Sequence, residues 1–67
     1  MSTIEVTELV GNEGTILVFA GADIDTGERV TFAADHRAAR PLADAVIDGE
    51  YAEVEIPSYL VISRSAA

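Results

Sequence analysis

The sequence predicts a small, mainly β domain: a five-stranded β-barrel with one short helix between strands three and four. Three observations carry this. Apolar and polar residues alternate with the period of two of a half-buried strand in several short runs. Glycine-rich or acidic turn segments separate those runs. A single Ala-rich segment breaks the alternation. With 67 residues there is room for one domain, residues 1–67, and such a domain buries only about 60% of the surface its unfolded chain exposes.

Strand one is read from "TIEVTELV", Thr3 to Val10, with Ile4 and Val6 on one face and Thr3, Glu5 and Thr7 on the other. The segment "GNEG" supplies the positive φ angles of a tight reversal. Strand two, "TILVFAGA" from Thr15 to Ala22, is almost continuously apolar, as expected of a strand covered on both faces. After "DIDTGE" comes strand three, Arg29 to Ala34, with Val30, Phe32 and Ala34 inward and Arg29, Thr31 and Ala33 outward.

Residues Asp35 to Gly49 form the one helical segment, with Leu42 and Val46 four apart and Gly49 at its end. Proline suits the first turn of a helix and not its interior. The helix is therefore expected over Pro41 to Asp48 rather than from His36, with Leu42 and Val46 buried against the sheet. Strand four is "EYAEVEI", Glu50 to Ile56, with Ala52, Val54 and Ile56 inward and Tyr51, Glu53 and Glu55 outward. Pro57 interrupts it. "SYLVIS" then makes strand five, before a short tail from Arg64.

The order β-β-β-α-β-β resembles the oligonucleotide/oligosaccharide-binding (OB) fold, which implies a three-stranded meander, a helix plugging the barrel bottom and a closing hairpin. An SH3-like barrel is the alternative, with the helix reduced to a single turn. The short, acidic, lysine-free and cysteine-free chain is also similar to small proteins of bacteriophages that infect high-GC bacteria, a likeness that implies no activity.

Composition narrows the function. Without cysteine there is no disulfide and no thiolate metal site. No stretch is long and apolar enough to span a bilayer, and no basic segment precedes an apolar run at the N-terminus. A cytoplasmic protein with no membrane partner is the expectation. Twelve acidic residues face four basic ones, all arginine, for a formal charge of -8. That charge repels phosphate backbones and disfavours nucleic acid as a partner.

Each candidate for chemistry falls short of its requirement. Asp25-Thr26-Gly27 resembles the catalytic triplet of retroviral-type aspartic proteases, in which two aspartates share one proton. Here Glu28 follows where that family has a small residue, and Val46-Ile47-Asp48-Gly49 is a poor match to its later hydrophobic-glycine element. Between two strands the triplet reads as a hairpin loop with glycine in the left-handed region. As a calcium loop counted from Asp23, the sixth position is Glu28 and the twelfth Ala34, where an EF-hand needs glycine and glutamate. His36 is the only histidine, and Ser2, Ser58, Ser63 and Ser65 sit on no nucleophile elbow. Arg29, Arg37 and Arg40 form the one locally basic stretch, but Tyr51 and Tyr59, among acidic neighbours, make a poor stacking platform for bases.

The expected function is therefore a protein-interaction module with no catalytic activity, cofactor or metal. Its candidate surfaces are an acidic face of Glu5, Tyr51, Glu53 and Glu55 and an unprotected edge strand carrying Tyr59 and Val61. Carboxylates two apart on a strand lie about 7 Å apart, near the phosphate repeat of one DNA strand. This permits a nucleic-acid mimic or a docking face for a basic partner, a host or phage protein. The edge strand permits a homodimer. The alternative function is an OB-type module for single-stranded nucleic acid.

Overall fold

The computed structural model describes residues 1–66. Five strands form one antiparallel sheet: β1 Ser2–Glu13, β2 Ile16–Asp23, β3 Arg29–Asp35, β4 Ala52–Ile56 and β5 Val61–Ser65. The helix α1, His36–Ile47, lies between β3 and β4, and a 3-10 turn, Ser58–Leu60, separates β4 from β5. The sheet order is β4-β1-β2-β3-β5.

The expected closing hairpin is absent, and the sheet is not closed into a barrel. Directions explain it. β1 and β3 both run antiparallel to β2, β4 runs antiparallel to β1, and β5 runs antiparallel to β3. β4 and β5 therefore point the same way, whereas a hairpin needs opposite directions. Pro57 and the 3-10 turn, in which Leu60 N–H donates to the Pro57 carbonyl at 3.1 Å, carry the chain from one edge of the sheet to the other.

β1 is longer than its alternation suggests because two residues, Thr7 and Val10, are extra in its register with β2. A bulge lets a strand bend and shifts the in–out parity beyond it, which is why the simple alternation stops near Thr7. The β1–β2 reversal is a two-residue loop, Gly14-Thr15, with Gly14 at φ +62. That is the glycine-first pattern of a II′ hairpin.

The core joins Ile4 and Val6 of β1, Leu17 and Phe19 of β2, Val30 and Phe32 of β3, Ile56 of β4, and Ala39 and Ala43 of α1. Phe19 and Phe32 are direct cross-strand partners whose rings stack with centroids 5.5 Å apart.

α1 begins at His36, five residues before the expected start. Asp35 caps it, its carboxylate accepting from Arg37 N–H at 2.9 Å. Pro41 lies inside the helix. It is tolerated because the carbonyl deprived of a donor, on exposed Arg37, can be hydrated. The far end matches expectation: Gly49, at φ +82, donates to the Val46 carbonyl and Glu50 N–H to that of Ala45, the two bonds of a Schellman motif. Leu42 and Val46 pack on the core but are only half-buried, and the buried stripe is Ala39 and Ala43. A small residue at the contact lets the helix axis come close to the sheet, which moves larger neighbours to the flanks.

Candidate interaction surface

The outer face of the sheet brings together three of the four residues expected on an acidic face. In the β1–β4 ladder Glu5 stands directly opposite Glu53, and Glu55 lies opposite Thr3 on the same face. Glu53 and Glu55 are exposed and Glu5 is half-buried. Among the described residues none of the three forms an ion pair, whereas Glu8 on the same face pairs with Arg29. Tyr51 is 70% exposed but precedes β4, so it flanks the carboxylates from a loop instead of standing in their row.

The edge-strand candidates separate. Tyr59 falls in the 3-10 turn, 84% exposed, and not in a strand. Val61 is the first residue of β5 and pairs with Phe32 of β3, half-buried against the core. The exposed apolar residue of β5 is Ile62. The reversal follows from Pro57, whose fixed φ starts the turn that consumes Ser58, Tyr59 and Leu60.

The Asp25-Thr26-Gly27 segment is a loop between β2 and β3, with Gly27 at φ +77 and Asp25 exposed. Its organiser is Asp23, the one buried charged residue among the described residues, at 4% exposure. One carboxylate oxygen of Asp23 accepts from Asp25 N–H at 2.9 Å and Thr26 N–H at 3.3 Å. The other accepts from Arg64 at 2.9 Å. The same guanidinium reaches Glu28 at 3.2 Å and donates to Ser2 Oγ. Arg64 holds the Asp23 carboxyl below the usual carboxylate range, helped by the loop N–H groups and opposed by burial. Two of the carboxylates that could have suggested a calcium loop, Asp23 and Glu28, are thus occupied by an arginine from β5. Read as a tail residue, Arg64 gave no sign of this. What could have suggested the partner was that Asp23 ends an apolar strand, where a carboxylate needs a cation.

His36 lines a surface depression of about 250 Å³ with Gly14, Thr15, Asp35 and Arg37. Its backbone N–H donates to the Thr15 carbonyl at 2.7 Å, which ties the helix start to the β1–β2 loop. No helix among the described residues is long and apolar enough to cross a membrane.

No protein-family description, curated protein or solved structure matches the chain.

Proposed function

We propose that this chain is a small non-catalytic protein-interaction module whose outer β1–β4 face receives a basic partner. The observation that carries the reading is the direct opposition of Glu5 and Glu53 in the ladder. Like charges directly opposite each other destabilise a sheet. A guanidinium or ammonium group laid between them would relieve that repulsion, so the face favours a cationic ligand. Glu55, two residues along, extends the row with the spacing of a nucleic-acid strand. The partner class is therefore an arginine- or lysine-rich segment, including one that ordinarily contacts phosphates. We also read the sheet as curling towards a partial barrel, since Arg64 of β5 reaches Ser2 of β1 across two intervening strands.

Anisotropy titration of a labelled arginine-rich peptide tests this. Binding at low salt that weakens as salt rises, and is lost in the Glu53→Gln/Glu55→Gln double variant, is the expected result. Equal affinity for wild type and variant would remove the assignment of the face. Labelled single-stranded DNA provides the opposing arm, because binding to it with a steep salt slope would favour the nucleic-acid-binding alternative.

A further inference from the structure

The core draws its buried side chains from β1, β2, β3, β4 and α1, and none from β5. β5 is held by its ladder to β3, by half-buried Val61, and by the Arg64 side chain. Because Arg64 pairs in register with Val30, a core residue, its guanidinium projects on the core side of the sheet and over its end. There it meets Asp23 from β2, Glu28 from the β2–β3 loop and Ser2 from β1. A strand with little buried apolar area and one dominant side-chain anchor is the kind of unit that opens below the free energy of global unfolding.

We propose that β5 is a releasable strap, latched by Arg64 to Asp23, which opens as a unit while β1 to β4 and α1 stay folded. Opening would uncover the β3 edge from Arg29 to Phe32, including the backbone beside buried Val30 and Phe32. Such an edge is a template for strand addition. The charged groups facing Asp23 are Arg64 from β5 and Glu28 from the loop, while β1 presents the neutral Ser2 hydroxyl to the network. Protonating Asp23 removes the more buried of the two charged anchors of Arg64, so acid is expected to weaken the latch. This inference is independent of the acidic face, whose residues take no part in the latch.

Native-state hydrogen exchange in low denaturant reads the opening directly. In the wild type, amides of residues 61–65 should exchange through an opening with a smaller denaturant slope than amides of the β1–β2 ladder. Arg64→Met should speed exchange of those amides roughly tenfold or more, with a much smaller change in the β1–β2 ladder. Arg64→Lys, which keeps the charge but loses the fork of donors, should fall between the two and serves if the methionine variant is unfolded. Exchange of β5 and of the β1–β2 ladder through one shared global opening in the wild type would overturn the strap. Acceleration spread evenly over both regions in the lysine variant would overturn the latch.

Discussion

Gly21 shows how closely β1 lies on β2. A Cβ at this position would overlap the Glu5 carbonyl oxygen and stand 2.9 Å from Val6 Cα, so no side chain fits without moving backbone. Gly21→Ala is expected to cost about 1–3 kcal/mol or more in urea unfolding. Gly11→Ala, where the added methyl meets open space, should leave the midpoint almost unchanged. Similar small effects for both would show that β1 can shift away from β2. Asp23 gives a second test at the same scale. Its carboxyl is held below the ordinary value of 3.8 by Arg64 and by the loop N–H groups. A folded-state value depressed in this way contributes stability that is fully present above the unfolded pKa and is lost as pH falls through the folded one. Acid unfolding of the wild type should therefore steepen below about pH 4, and Asp23→Asn should flatten that limb while lowering stability at pH 7. An unchanged acid limb in the variant would mean that other carboxylates govern it.

At the scale of elements, α1 is set by its two ends against a proline in its middle. Asp35→Ala removes the cap and should cost about 1 kcal/mol. Pro41→Ala restores a donor for the Arg37 carbonyl and should stabilise by about 1–2 kcal/mol, less than the intrinsic helix penalty of proline because the unfolded chain also gains freedom. Thermal melts of the two single variants should move in opposite directions. A destabilised Pro41→Ala would mean that the ring supports the helix start. Leu42→Ala, at a half-buried flank, should cost about 1–2 kcal/mol, below the range for a fully buried leucine.

The whole molecule has a radius of gyration of 10.8 Å and a formal charge of -8. Self-repulsion on so small a body opposes any contact between copies, and salt screens it. β4 carries Glu53 and Glu55, which guard its edge against other acidic chains, whereas β5 has no carboxylate and exposes Ile62. Self-association, where it occurs, should therefore run through β5 and strengthen with salt. Sedimentation equilibrium at low and high salt should show the average mass rising for wild type and staying monomeric for Ile62→Lys. A mass that rises with salt in both proteins would place the contact elsewhere.

Local chemistry was enough to locate most of the strands, the Asp25-Thr26-Gly27 loop and the end of α1. Alternation, a left-handed glycine and a helix-stopping glycine act within a few residues, and each has the same meaning wherever the segment lies in the fold. The opposition of Glu5 to Glu53 was half legible: the alternation put both on an outward face, but only the register between β1 and β4 made them neighbours. Tertiary structure alone decided the rest. The bulges at Thr7 and Val10 answer to β2, and the shared direction of β4 and β5 follows from which edges they pair with. The embrace of Asp23 by Arg64 joins residues 41 positions apart. Pairing energy of that kind depends on which distant groups the fold brings within a few ångströms, and no local period in the chain encodes it.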